Sequence, residues 1–200
     1  MKEYVLGEIK KTQKTVDAVI KDKKLIETVI EIAQKGSDVL RKGGKIIFAG
    51  NGGSAADSQH LAAEIVSRLN YDRPALPAIA ITTDTSALTA IGNDYGYEHV
   101  FSRQLEAIGN KKDLFFAIST SGNSPNILKA LNSARKKGIT SVGLTGKSGG
   151  KMAGLCDYVI KIPSTETPKI QECHIMLGHI ICSLIEEEIH GAKYNPKRKR

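Results

Sequence analysis

The sequence predicts an α/β fold, a three-layer sandwich in which a five-stranded parallel sheet lies between layers of helix, preceded by a long N-terminal helical segment. Three observations predict it. Short apolar runs bounded by Gly, Ser, Asn and Thr recur five times after Gly43-Gly44. Longer stretches with helical spacing of apolar residues lie between most of these runs. No run approaches the roughly 18 to 20 apolar residues of a membrane span. Alternating strands and helices of this kind form parallel sheets covered on both faces.

Taken in order, the first element runs from Tyr4 to about Leu40. Val16, Val19, Leu25, Val29, Ile32 and Ala33 recur there at helical intervals among Lys and Glu, which reads as one amphipathic helix or two joined ones. Its apolar ridge packs on the core or on another subunit. KIIFAG, ALPAIAI, DLFFAIST, TSVGLTG and DYVIKIP read as the five strands. The helices expected between them span about Ala55 to Leu69, Ser86 to Ile108 and Asn126 to Lys137, with a short one near Lys151. A last helix, from about Ile170 to Ile189, closes the fold. The chain divides into a helical segment over 1–42, one α/β domain over 43–192 and a basic tail over 193–200.

At 200 residues, with 40% hydrophobic and 25% charged residues, the chain fits one core-bearing domain. The N-terminal MKEYVLGEIKKTQKTVDAV is charged and periodic, without the apolar centre of a secretory signal, so a cytoplasmic protein without a membrane partner is expected. Cys156, Cys173 and Cys182 are odd in number, lack CxxC spacing and sit among apolar neighbours, which reads as buried free thiols. The net charge is +8, but Lys193, Lys197, Arg198, Lys199 and Arg200 supply five of those charges. A short basic terminus of this kind is ordinarily solvated, so no nucleic-acid partner is expected.

In an open parallel sheet, ligands bind beyond the carboxyl ends of the strands. Two strand-to-helix loops stand out there. Asn51-Gly52-Gly53-Ser54 follows the first strand, and Ser119-Thr120-Ser121-Gly122-Asn123-Ser124-Pro125 follows the third. In the second, Ser124 suits an N-cap and Pro125 the first helical position, so a helix starts with its free amides facing outward. The hydroxyls of Ser119, Thr120, Ser121 and Ser124 suit phosphate oxygens, and neither lysine nor arginine is present. Any one such loop reads first as an ordinary turn; two in matching places shift the reading toward a ligand site. With neither GxxxxGK[ST] nor GxGxxG in the chain, nucleotide-cradling and dinucleotide-binding classes drop out.

Among ionisable residues, His60 and Glu64 are four apart on one expected helix and share a face. Gln171 and His179 are eight apart on the last helix, so they differ in direction by about 80° and in height by about 12 Å. Spacing alone leaves two readings open for these four: a shared ligand, or ordinary surface and satisfied polar residues.

Taken together, AGNGGSAADSQHLAAE, IGNDYG, ISTSGNSPN, LTGKSGGKMAG and STETPKIQECHIMLGHIIC closely resemble the phosphoheptose (sedoheptulose 7-phosphate) isomerases of the sugar isomerase (SIS) fold, from about Ile9 to His190. The resemblance implies the SIS fold over 43–192 and a role for each matching residue. Ser119, Thr120, Ser121 and Ser124 would hold the phosphate, and Asn51, Gly52, Gly53, Ser54, Asn93 and Asp94 would contact the sugar, as would Glu64 and Gln171. Glu64 and His179 would transfer protons. His60, Glu64, Gln171 and His179 would hold one zinc ion per subunit, in a homotetramer whose active sites lie at subunit contacts. A carboxylate that ligates zinc is a weaker base, so Glu64 would not serve both ends freely.

The implied reaction turns D-sedoheptulose 7-phosphate into D-glycero-D-manno-heptose 7-phosphate through an enediol(ate), the entry to nucleotide-activated heptose for lipopolysaccharide or other surface glycans. Two rival readings share the fold: a non-catalytic tetramer that binds the bacterial replication initiator, and a sugar-phosphate-sensing regulator. The first keeps the folded core without needing the reactive set, and the second differs from the enzyme by turnover, since binding alone fits both.

Overall fold

The computed structural model describes residues 1–198. Lys199 and Arg200, two of the five basic residues of the C-terminal run, lie outside them. The N-terminal segment is two helices, α1 (Lys2–Lys21) and α2 (Lys23–Arg41). Asp22 separates them: its carboxylate accepts the Leu25 N–H at 3.0 Å and so caps α2. Leu25, Val29, Ile32, Ala33 and Val39 of α2 are buried in the core, whereas α1 leaves Tyr4, Val5, Leu6 and Ile9 exposed.

Five parallel strands follow: β1 (Ile46–Gly50), β2 (Ala78–Ala80), β3 (Leu114–Ile118), β4 (Thr140–Thr145) and β5 (Tyr158–Lys161). They lie in the order β2-β1-β3-β4-β5, with Ile46 opposite Leu114 and Leu114 opposite Thr140. Because strand side chains alternate between faces, β1 and β3 feed two separate cores. Ile46, Phe48, Leu114 and Phe116 pack with α2, with α3 (Gly53–Val66) and with α7 (Thr167–Tyr194). Ile47, Ala49, Phe115 and Ala117 pack with α5 (Ser102–Ile108) and α6 (Pro125–Lys137). The Phe48 and Phe116 rings stack at 4.9 Å, joining the two central strands on the first face.

The stretch expected as one helix from Ser86 to Ile108 is instead α4 (Thr85–Tyr95), a single 3₁₀ turn at Tyr97–His99, and α5. Gly96 ends α4. The second strand is also shorter than ALPAIAI, beginning only after Pro77. Proline has no N–H for a sheet ladder and suits the place where a strand starts. The last helix extends to Tyr194, beyond the expected Ile189. Among the described residues no helix is long and apolar enough to cross a membrane.

Candidate active site

From β1 the chain steps outward to β2, then returns past β1 to β3. The direction of winding therefore reverses between β1 and β3, which opens a crevice beyond their carboxyl ends. Both loops singled out from the sequence lead out of these two strands. They are held together: Asn51 and Asn126 exchange side-chain hydrogen bonds at 2.9 and 2.8 Å, and the Tyr97 hydroxyl donates to Asn51 Oδ1 at 3.3 Å. Asn126 was not foreseen as a site residue, because an Asn in a first helical turn has no distinguishing spacing.

After β3, Ser119 Oγ lies 2.9 Å from Ser124 Oγ and 3.4 Å from Ser121 Oγ, so three of the four expected hydroxyls converge. Thr120 is adjacent, its carbonyl accepting the Gly146 N–H at 3.0 Å and so tying the loop to the end of β4. Ser124 occupies the N-cap position of α6 and Pro125 opens the helix, but the Ser124 hydroxyl makes no cap hydrogen bond. It faces Ser119 instead. Pro125 has no N–H, the Ile127 N–H donates to Asn126 Oδ1 at 3.0 Å and the Leu128 N–H to the Ser124 carbonyl at 3.0 Å, so the Asn126 N–H is the amide of this first turn left for an incoming group.

The second group lies between α3 and α7, which run side by side in the same direction. His60 Nε2 is 2.7 Å from His179 Nε2 and 3.2 Å from Glu64 Oε1. The two imidazoles meet edge to face with centroids 4.9 Å apart, and in their Nε2–Nε2 hydrogen bond the ring that carries hydrogen on Nε2 donates. Ligand atoms of His60, Glu64 and His179 all lie within 4.8 Å of one another. Two imidazole nitrogens and a carboxylate oxygen are the donor set that zinc takes. The residues present fit such an ion.

Gln171 sits lower in the same groove. Its amide Nε2 donates to Asp57 Oδ1 at 3.3 Å, and a Cβ on Gly53 would collide with that amide. Gly53 thus makes room for Gln171. The 80° and 12 Å that separate Gln171 from His179 along α7 are spanned by α3, which meets the first at Gly53 and Asp57 and the second at His60.

Asp57 was missed in the sequence. Only 7% exposed, it leaves Oδ2 without a hydrogen-bond partner. Burial raises its carboxyl above the usual range, against the lowering effect of Gln171 and the two imidazoles. Its place three residues before His60 and seven before Glu64, on their face of α3, was the available signal. Beneath the groove, fully buried His174 approaches the Thr145 carbonyl at 3.2 Å, and burial pushes its imidazole down to about 4. It is a neutral structural donor.

Asn93 and Asp94, expected on the sugar, lie exposed on α4 and bond each other at 2.8 Å. No hydrogen bond joins them to the groove among the described residues. Ser54 is buried, its N–H held by the Asn51 carbonyl at 2.9 Å. The three cysteines are free, and burial pushes the Cys156 and Cys182 thiols up to about 12, away from reactivity.

A hydroxyl-lined loop and a His-Glu-His cluster around the crevice of a parallel sheet suit a sugar-phosphate isomerase type of SIS protein, and the SIS domain family matches residues 9–146. A phosphoheptose isomerase of Aneurinibacillus thermoaerophilus is 57% identical over 97% of this chain and 98% of its own. Among solved structures, the phosphoheptose isomerase of Neisseria gonorrhoeae superposes with a TM-score of 0.87 at 41% identity, covering 93% of this chain and 98% of that one. That of Francisella tularensis gives 0.89 at 31% identity, covering 92% and 97%. The chain belongs to the phosphoheptose isomerase family.

Proposed function

We propose that this protein is an aldose–ketose isomerase that converts D-sedoheptulose 7-phosphate to D-glycero-D-manno-heptose 7-phosphate. The observation that carries the reading is the meeting of His60, Glu64 and His179 in the α3–α7 groove, beside a loop whose serine hydroxyls converge. Ser119, Thr120, Ser121 and Ser124 bind the phosphate together with the Asn126 N–H at the start of α6. Asn51, Gly52, Gly53, Ser54, Asn93, Asp94 and Gln171 contact the sugar chain.

Glu64 takes a proton from C1 of the ketose, and the electron pair left on C1 closes the C1–C2 double bond of a cis-enediol. His179 carries the oxygen-bound proton, supplying it at O2 as the carbonyl is lost and removing it from O1 as the aldehyde forms. Glu64 then delivers its proton, or one exchanged with solvent, to C2, which completes the aldose and restores the carboxylate. With Oε1 of Glu64 turned to His60, its other oxygen is the one offered to C1. His60, Glu64, Gln171 and His179 would hold one zinc ion per subunit, which would supply Lewis-acid polarisation of the carbonyl. The exposed apolar residues of α1 support packing against another subunit in a homotetramer. The setting proposed is the cytoplasm and the product's use in heptose-containing surface glycans.

The test is turnover of sedoheptulose 7-phosphate by the purified protein, before and after chelation. Aldoheptose phosphate is expected, lost with chelator and restored by zinc; no product at any metal content, from an intact oligomer, would leave the scaffold or sensor reading. A second expectation concerns the phosphate loop. Ser124→Ala should raise KM about tenfold, from about 1.5 kcal/mol for a hydrogen bond to a charged group. Because that bond is made equally before and during reaction, kcat should stay within about threefold.

A further inference from the structure

We infer that Arg73 is a positioning residue: its buried bridge to Glu186 sets the register in which α3 and α7 bring His60 and Glu64 to His179. The inference rests on the reading of the α3–α7 groove proposed above.

Arg73 lies in the loop after α3, and neither its side chain nor that of Glu186 is exposed to solvent. Its guanidinium is used in three directions. Nε donates to Glu186 Oε1 at 3.0 Å, Nη2 to the carbonyl of Glu64 at 2.9 Å, and Nη1 to the carbonyls of Ile65 at 2.9 Å and Pro74 at 3.1 Å. The Glu64 and Ile65 carbonyls belong to the last turn of α3, where no intrahelical N–H remains for them. Arg73 therefore caps α3 through the backbone of the very residue whose side chain faces His60. On the other side Glu186 is equally committed, accepting from Leu69 N, Asn70 N and Asn70 Nδ2 at 3.0, 2.8 and 2.8 Å.

A buried ion pair is a weak source of stability, since apolar side chains of similar volume serve as well or better. What it adds is direction. The guanidinium is planar and rigid, so its donors hold the end of α3 and the Glu186 carboxylate at fixed mutual angles. Glu186 lies seven residues beyond His179, two turns on and within about 20° of the same face of α7. Between the two helices, Gly178 sets the distance: a Cβ there would fall 2.7 Å from Leu61 Cδ1. Gly178 lets the helices approach, and Arg73 with Glu186 stops them sliding. A slide of one residue rise, about 1.5 Å, would be large against the 2.7 Å contact of His60 with His179.

The test uses the full chain with Arg73→Met and Glu186→Gln combined. This removes both charges together, leaves no unpaired buried ion, and keeps one amide oxygen to accept from either the Leu69 or the Asn70 N–H, which use different Glu186 oxygens in the native protein. Three quantities are read: the thermal midpoint, zinc affinity by calorimetry, and the imidazole signals of His60 and His179 by NMR in metal-free protein. A folded variant is expected with zinc affinity lowered about 10- to 100-fold, the range for residues that orient metal ligands, and with both imidazole signals displaced. Its kcat should fall by a similar factor, with KM within about threefold because the phosphate loop is untouched.

Wild-type zinc affinity and unmoved imidazole signals in the folded double variant would overturn the inference. Should that variant fail to fold, Arg73→Lys decides by the same readouts, since it keeps the charge and loses the fork. The imidazole signals need neither metal nor substrate. A wild-type protein without turnover would therefore sink the isomerase reading while leaving the positioning role of Arg73 to stand or fall on those signals.

Discussion

Glu64→Gln is expected to lower kcat for sedoheptulose 7-phosphate by about 10²- to 10⁴-fold, the usual contribution of a positioned acid–base group. Glutamine has the same size and keeps an oxygen that His60, 3.2 Å from the native carboxylate, can meet, yet it cannot take up the C1 proton. In the proposed reading the phosphate is held across the crevice by the loop after β3, so KM should change by less than about threefold. The assay is run at saturating zinc, so that loss of a ligand is not mistaken for loss of the base. Wild-type protein in deuterated buffer should also place solvent deuterium at C2 of the product, and the variant should not. A variant with wild-type kcat would remove Glu64 from the chemistry and return the groove to the sensor reading, in which Glu64 only binds.

The second large effect is on stability. Glu186→Ala leaves the Arg73 guanidinium buried without its counter-ion and strips the acceptor from the Leu69 and Asn70 amides. Breaking one side of such a pair costs about 3–5 kcal/mol. For a chain of this size that is a fall in Tm of roughly 6–20 °C, at about 2–4 °C per kcal/mol. Thermal unfolding by circular dichroism measures it. The half-exposed pair of Lys11 with Glu166, 3.0 Å apart, makes the comparison: exposed pairs contribute about 0–1 kcal/mol, so Glu166→Ala should move Tm by no more than a few degrees. Equal, small shifts in the two variants would show that the Glu186 pocket admits water and that the bridge is not the rigid element described.

The parts of this architecture that were legible in the sequence are those set by local pattern. Strands such as KIIFAG and DLFFAI are buried on both faces, so they appear as unbroken apolar runs, and the loops that follow them carry the small polar residues that turns and anions both favour. His60 and Glu64 were legible as a pair because helical spacing alone puts them on one face. The break at Gly96 was missed because apolar residues on either side of it kept a helical rhythm, although a glycine in mid-run is a stop signal. What local pattern could not supply was which helices lie together. That His179 answers His60, that Gln171 answers Asp57, and that Arg73 reaches Glu186, 113 residues away, depend on α3 and α7 sharing one face of the sheet. Spacing left Gln171 and His179 open between a shared site with His60 and Glu64 and ordinary surface positions, and resemblance to a family was what tied them to that site.

One property of α7 follows from its being a single helix of 28 residues. Gln171, His174, His179 and Glu186 are graduations on one ruler, each read against a different partner: Asp57, the end of β4, His60 and Arg73. Inserting or deleting one residue between Gln171 and Glu186 would rotate everything beyond it by about 100° and shift it by about 1.5 Å, putting at least one graduation out of reach. Between those marks the protein can change its letters but not its spacing, so variation in length is confined to the loops on either side.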